Sequence, residues 1–506
     1  MTADLEPPAT PGPGAGRRPA RSFGAALGLT VLGAVVPGTA FLAARRRVLG
    51  MLTLLLFLAV AGGGVWLATA GRRTALHIAV STSSLLWVIG GIAAVGLLWV
   101  LAIVFQYVVV MPARTRPVTH VLGGLLVLVL AAGVALPAYQ VIHLADVQRG
   151  LVNGVFAQHQ QSATVVDTPN PFGTKGRVNV LLLGGDSGPG RDGTRTDTVV
   201  VASIDTHTGA TTLISLPRNL ENLPFPPDSP LAAVYPNGFQ AAQEDEGLLN
   251  AVYRNGPMLH PGLLGATDNE GADWLKLGVG EAIGLHIDYY VLVNLEGFSR
   301  LVDTLGGITV NINYWVPING VPDSNVLPDD YLTPGPNQHL DGYQALQFAR
   351  GRFGLTDYDR MARQRCAINA IIAAADPITL LSKYQELART TQDIVRTDIP
   401  QSALGGFVDL AFVVKGASVR SVVFDNSLIN PAYPDYDAMR QVVSAALTAP
   451  ATGSPTPTTG TTPPVAGGET PPPATSPVTD VSNACAYDAT RAQAALAGGK
   501  PPIQGG

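Results

Sequence analysis

Arg350, Arg352, Arg360 and Arg363 fall within fourteen residues of a chain in which charged residues make up only 14%. They surround a predicted helix start. The segment TDYDRMARQRCAINAIIAAADP opens at Thr356 or Asp357, either of which suits an N-cap, and places Asp357, Arg360 and Gln364 on one face at i, i+3 and i+7. Met361, Ile368, Ile371 and Ile372 are the expected buried stripe. A helix start offers unpaired N–H groups to anions, and guanidinium forks grip phosphate oxygens in pairs. The chemistry indicated is binding of a multiply charged, phosphate-type anion. The alternative is a solvated helix start carrying Asp/Arg pairs.

Two carboxylates and a further arginine lie upstream. RVNVLLLGGDS reads as a buried strand at 178–183, TDTVVVASID as a second at about 197–204, and TTLISLPRN as a third at about 211–216. The five-residue connection DTHTG suits an antiparallel hairpin. In such a meander Asp186 ends the first strand, Asp197 starts the second and Arg218 ends the third, so all three meet at one sheet edge. Asp186 and Asp197 together suit a hard cation such as Mg²⁺, which takes one or two carboxylates and completes its shell with water and phosphate; equally, each caps a loop. Arg218 alone reads as a salt-bridge partner. Asp205 and His207 fall at the opposite edge as turn residues. LDGYQALQFARGR is a helix from about Asp341 to Arg350, broken at Gly351 and Gly354. DYYVLVNLEGFSRLVDTLGGITVNI reads strand, helix, Gly-Gly turn, strand, and SVRSVVF (418–424) as a last strand. The expected fold is α/β, a mixed central sheet flanked by helices.

This domain, 177–447, follows a membrane region at 22–145. Apolar stretches at 50–70, 84–107 and 118–142 each have about the 20 residues a span requires. The stretch at 22–44, with four glycines and Pro37, is expected to be re-entrant or interfacial. With three spans, Arg17 to Arg47, Arg114 and Arg116 are cytoplasmic, only Arg72–Arg73 offend the positive-inside rule, and the domain lies outside. Residues 1–21 form a disordered basic arm and 146–176 a linker. Residues 448–480 are a Thr/Pro-rich linker suited to threading a cell wall, and 481–506 a tail. The two cysteines, Cys366 and Cys485, show no zinc or CxxC spacing; outside the cell they either pair or remain two thiols. Net charge −5 argues against nucleic-acid binding, and spans free of Asp, Glu, Lys and Arg argue against a transporter.

Taken in order, GGDS (184–187), RTDT (195–198), SLPRN (215–219), NAVY (250–253), YYVLVNLEGFSRLVDTLGGITV (289–310), ARGR (349–352) and DYDRMARQR (357–365) resemble the LytR–CpsA–Psr family of cell-wall glycopolymer ligases. The composition suggests an actinobacterial version with several spans, where many relatives have one. The resemblance implies an LCP-like domain that transfers a glycan from a polyprenyl-pyrophosphate carrier onto peptidoglycan, arabinogalactan or another anionic wall polysaccharide being the natural candidate. It implies Mg²⁺ (or Mn²⁺) on Asp186 and Asp197, and pyrophosphate on Arg218, Arg350, Arg352 and Arg360 with Gln364 beside them and Arg363 as a further contact. Asp357 orients an arginine or acts as base, and the lipid enters an apolar pocket. GLLNAVY departs from the pattern, with Leu248 where the family often has lysine; Arg254 is the nearby substitute. Two other functions fit the same residues: a polyprenyl-pyrophosphate pyrophosphatase, and a non-catalytic envelope regulator or scaffold.

Overall fold

The computed structural model describes residues 20, 22–112, 116–156, 161–164, 172, 175–186, 194–375, 395–448 and 478–504. The chain divides into two compact units, Met1–Arg149 and Gly150–Gly506.

The first unit is helical: α1 (Phe23–Val35), α2 (Thr39–Ala43), α3 (Arg47–Ala68), α4 (Arg72–Val80), α5 (Thr82–Val110) and the start of α6 (Pro117–Val155). By length and composition α3, α5 and α6 suffice to cross a membrane; α5 and α6 contain the predicted spans 84–107 and 118–142, and α3 covers the predicted 50–70 up to Ala68. The 22–44 stretch is not one helix. Pro37 cannot donate a backbone hydrogen bond and Gly38 sits at φ 103°, so the chain turns there, and neither α1 nor α2 is long enough to span. The expected linker from 146 begins instead as a continuation of α6 to Val155. Arg114 lies outside the described residues.

The second unit is built on a seven-stranded sheet. Its elements are β1 (Arg177–Asp186), β2 (Arg195–Asp205), β3 (Thr211–Leu216), α7 (Pro230–Val234), α8 (Leu249–Leu259), α9 (Glu270–Ile283), β4 (Tyr289–Asn294), α10 (Leu295–Leu305), β5 (Ile308–Ile312), β6 (Val316–Ile318), β7 (Asp330–Leu332), β8 (Gly335–Leu340), α11 (Gly342–Arg350), α12 (Asp357–Ala374), β9 (Val395–Thr397), α13 (Leu404–Val414), β10 (Val419–Val423), α14 (Tyr436–Thr448), β11 (Val478–Asp480), α15 (Val481–Ala484) and α16 (Ala489–Ala497). The sheet order is β11-β10-β3-β2-β1-β4-β9. The β1-β2-β3 meander is antiparallel, β4 joins β1 and β10 joins β3 in parallel, and β9 and β11 close the edges antiparallel. Side chains alternate across the sheet. Leu181, Leu183, Val199, Val201, Ile214 and Leu216 face a core shared with α8, α9 and α14, while Leu182, Val200, Ala202 and Leu213 face Ile368 of α12 and Val481. Burial on both faces explains why these strands read as unbroken apolar runs. A smaller core, with Val302, Ile308, Ile312, Leu340 and Phe348, is built around the two-stranded β5-β8 and β6-β7 sheets.

The segment expected as a tail is part of this domain. β11 adds a strand to β10, Val481 is fully buried, and Cys485 is bonded to Cys366 of α12. Trp315 Nε1 donates to Ala495 O at 3.0 Å, and the Arg491 guanidinium lies 4.2 Å from the Tyr314 ring centroid and pairs with Asp359 at 3.3 Å. Residues 449–477, the Thr/Pro-rich stretch, lie outside the described residues. Both of their flanks are therefore anchored in one domain.

Candidate active site: an arginine-lined cleft at the sheet edge

The β1-β2 ladder slips once, where Gly184 pairs with Thr198 and Gly185 with Thr196. Asp197 is the residue left over, the apex of a bulge, a feature that re-aims a side chain at a sheet rim. The slip needs a bare backbone: a Cβ on Gly184 would lie 2.8 Å from Thr198 Cβ. Asp197 Oδ1 accepts from Arg218 Nη1 at 3.1 Å and from Asn250 Nδ2 at 3.2 Å. Burial alone would raise the Asp197 pKa, but Arg218, the Asn250 hydrogen bond and Arg360 outweigh it and hold the carboxyl below its usual range. A depressed folded pKa adds stability that is complete above the unfolded carboxyl value of about 4 and is lost as pH falls through the folded value. Urea midpoints of wild type and Asp197→Asn are thus expected to differ at pH 5–7 and to converge in acid; a gap that stays constant down to pH 2 would refute this.

Asp186 stands opposite Arg195 in the ladder, so its backbone is at the same rim; its side chain lies outside the described residues. Asp197 Oδ2 accepts no hydrogen bond among the described residues, and no group of three or more His, Cys, Asp or Glu gathers among them. An oxygen left open on an ionised carboxylate, beside arginines able to hold phosphate, fits a Mg²⁺ that takes one or two carboxylates and draws its remaining ligands from water and phosphate.

β3 ends at Pro217, which delivers Arg218 to the rim. Arg218 Nε lies 3.5 Å from Asp357 Oδ1, the first residue of α12, and Arg360 Nη2 lies 2.8 Å from the same oxygen. Asp357 thus links Arg218, from the sheet, to Arg360, from the helix. The start of α12 is fixed by a capping box in which Thr356 Oγ1 accepts from Asp359 N and Asp359 accepts from Thr356 N, so Thr356 is the N-cap. Arg360 is 3% exposed, and its Nε is buried without a hydrogen-bond partner among the described residues. Burial pushes its pKa down; Asp357 and Asp197 raise it, and Arg218 and Arg352 lower it further. A buried guanidinium among like charges with a donor unspent is a strong call for an anion.

Arg195, Arg218, Arg254, Arg350, Arg352 and Arg360 all line one cleft of about 610 Å³, together with Asp197, Asn250 and Gln364. Gly351 lets the chain between Arg350 and Arg352 press onto β6, since a Cβ there would lie 2.4 Å from Pro317 O. Arg195 and Arg254 share the Glu246 carboxylate, Arg195 Nη2 at 2.5 Å from Oε1 and Arg254 Nη2 on Oε2. Apolar lining comes from Leu295, Val321 and Pro322.

Arg363 differs from expectation. It is 4% exposed and does not line the cleft: Nε donates to Phe348 O at 2.7 Å, Nη2 to Gly351 O, and Nη1 to the Tyr314 hydroxyl at 3.1 Å. The fork is spent on the backbone that carries Arg350 and Arg352, so Arg363 positions those arginines rather than meeting an anion. Arg365 is likewise buried, donating to Ser421 Oγ at 2.8 Å, and burial takes its pKa down to about 10. Ile368, Ile371 and Ile372 are only half-buried; of the predicted stripe, Met361 is the buried member. Asp205 accepts from His207 N and Thr208 N as a turn residue should. Arg195, Asn250, Gln347 and Asn319 are cleft residues that sequence reasoning passed over. Arg195 and Asn250 did carry a signal, since both sit inside the quoted RTDT and NAVY segments. Leu248 is the N-cap residue of α8 and brings no polar group, whereas Arg254 on the same helix reaches the cleft.

The domain is thus a two-sided α/β sheet with a bulged carboxylate and converging arginines at one rim, in a chain that also carries long apolar helices. The chain belongs to the LytR_cpsA_psr family, which it matches over residues 153–430. Among curated relatives, it is 28% identical over 229 residues to polyisoprenyl-teichoic acid–peptidoglycan teichoic acid transferase TagU of Bacillus mycoides, covering 45% of this chain and 62% of that protein. It is 30% identical over 226 residues to the TagU of Enterococcus faecalis, 44% of this chain and 61% of that protein, and 26% identical to Biofilm regulatory protein A of Streptococcus mutans, 44% and 50%. The chain therefore spans about half to six tenths of the length of these relatives. Similar solved structures include B. subtilis TagV (TM-score 0.37, 22% identity, 54% of this chain and 96% of that one) and TagT bound to LIIa-WTA (TM-score 0.36, 20% identity, 57% and 96%).

Proposed function

We propose that the protein is a membrane-anchored phosphotransferase that moves a wall glycopolymer from a polyprenyl-pyrophosphate carrier onto peptidoglycan. The observation that carries this is the buried Arg360, with its unspent Nε, in a cleft that also presents five other arginines. A pyrophosphate diester carries two negative charges and matches that excess. Family membership and the names of the relatives support the same reading.

In the reaction an acceptor hydroxyl attacks the phosphorus that bears the glycan. The new P–O bond forms, the bridging P–O bond of the pyrophosphate breaks, and polyprenyl phosphate leaves with the electron pair. The hydroxyl proton passes to Asp357, whose carboxylate spans Arg218 and Arg360. Those arginines, with Arg350, Arg352 and Gln364, hold the pyrophosphate oxygens and neutralise charge as it shifts to the leaving group, the main task in phosphoryl transfer. Asp197 and Asp186 would hold Mg²⁺ (or Mn²⁺), which when bound supplies further charge neutralisation at the phosphates. The three apolar helices support anchoring in the membrane where such carriers reside, and the Cys366–Cys485 disulfide supports an extracytoplasmic domain.

The test is the full-length protein in lipid vesicles with Mg²⁺, a peptidoglycan fragment and a panel of polyprenyl-pyrophosphate donors carrying arabinogalactan-type or teichoic-acid-type glycans. Mass spectrometry is expected to find a glycan–phosphate–peptidoglycan adduct with at least one donor. Free glycan phosphate without adduct would replace this reading with hydrolysis, and no turnover of any donor would favour a regulator.

A further inference from the structure

A second cleft, of about 480 Å³, adjoins the first. The two share Arg218, Arg352 and Pro322 as a common wall, and Asp357 lines the second alone. Apart from that wall the second cleft differs in chemistry. Beyond Asp357 it presents no further charged residue among the described residues; its other polar groups are the side-chain amides of Asn219, Asn426 and Asn430 and the Tyr358 hydroxyl. The Asn219 amide makes no hydrogen bond among the described residues. Asn426 Oδ1 accepts from Tyr358 Oη at 2.5 Å and Asn430 Oδ1 accepts from Ala432 N at 3.1 Å, and among the described residues neither Nδ2 group donates to a protein partner, which leaves both as donors toward a ligand. The loop bearing these asparagines is pinned beside Arg218, since Glu221 N donates to Pro431 O at 3.0 Å.

In-line displacement needs the nucleophile and the leaving group to approach phosphorus from different directions. A single cleft lined with arginines serves the dianionic donor. The neighbouring one, rich in amides, suits a ligand with hydroxyl and acetamido groups, because primary amides both donate to and accept from such groups. Asp357, the proposed base, lines this second cleft and holds Arg218 of the shared wall at 3.5 Å. We infer that the second cleft is the acceptor subsite and takes an N-acetylated glycan strand, with Asn219, Asn426 and Asn430 reading its amides and hydroxyls. This rests on the transferase reading above.

The experiment uses full-length Asn219→Ala, Asn430→Ala and the double variant in vesicles, with peptide-stripped peptidoglycan glycan strands as acceptor probe. Two readouts are taken: KM for acceptor and for donor in the transfer assay, and direct binding of the strands without donor. Each single change is expected to raise acceptor KM roughly three- to tenfold, the value of one neutral hydrogen bond, and the double change to weaken strand binding by roughly ten- to a hundredfold. Donor KM is expected to stay within twofold, which also shows that the variants are folded. Unchanged acceptor KM and strand binding would overturn the assignment, as would a donor KM that rises in step. If wild type binds strands through these asparagines yet transfers nothing, the transferase reading fails while the glycan subsite stands.

Discussion

Arg360→Ala is expected to lower the rate of adduct formation by roughly 10²–10³-fold, the cost of removing one preorganised donor from a charge-stabilising site. The effect is placed on rate because Arg360 meets the anion from inside the protein. At 3% exposure its position cannot be filled by a solvated side chain, and water is a poor substitute for a buried fork. The variant also strips Asp357 of one of its two guanidinium partners, leaving Arg218 at 3.5 Å as the other. Arg360→Lys is expected to recover only part of the loss, since an ammonium offers no paired donors. The measurement is initial rate under saturating donor and acceptor, with a thermal melt run alongside. A rate within threefold of wild type in a folded variant would remove Arg360 from the mechanism.

The second large effect concerns stability. Changing both Cys366 and Cys485 to serine is expected to lower unfolding free energy by about 2–4 kcal/mol, the usual range for a disulfide; for the 119-residue separation the chain-entropy account sets an upper figure near 5 kcal/mol. Urea unfolding of wild type and variant, with and without reductant, measures it: reductant should shift wild type to the variant's midpoint and leave the variant unmoved. An unshifted midpoint would show that the bond adds nothing. A milder loss of transfer should accompany it. The bond holds the C-terminal segment on α12, Arg491 of that segment stacks on Tyr314, Tyr314 accepts from Arg363, and Arg363 holds the carbonyl between Arg350 and Arg352.

Much of this was readable in the residues. Uninterrupted Val/Ile/Leu runs broken by Gly-Gly, DTHTG and Pro217 set out the meander, and its topology alone put Asp197 and Arg218 at one rim, where they lie 3.1 Å apart. Asp341 and Thr356 announced two helix starts, both closed by capping boxes. What spacing could not supply was which donors were already spent. Arg360 and Arg363, three positions apart, have alike side chains and similar burial, but one faces the cleft and the other faces backbone carbonyls contributed by α11 and the Arg350–Arg352 segment. The last strand was hidden for a different reason. β11 has three residues, too few for any alternation to show, and follows a stretch whose composition suggests an end to folded structure. The β6-β7 hairpin, whose flanking turn supplies Asn319 and Val321 to the cleft, is equally short.

Because β11 returns to the sheet, α14 and β11, the described elements on either side of residues 449–477, are both fastened to the same domain. A pull on the C-terminal segment is therefore borne by the sheet edge and by the covalent bond between Cys485 and Cys366.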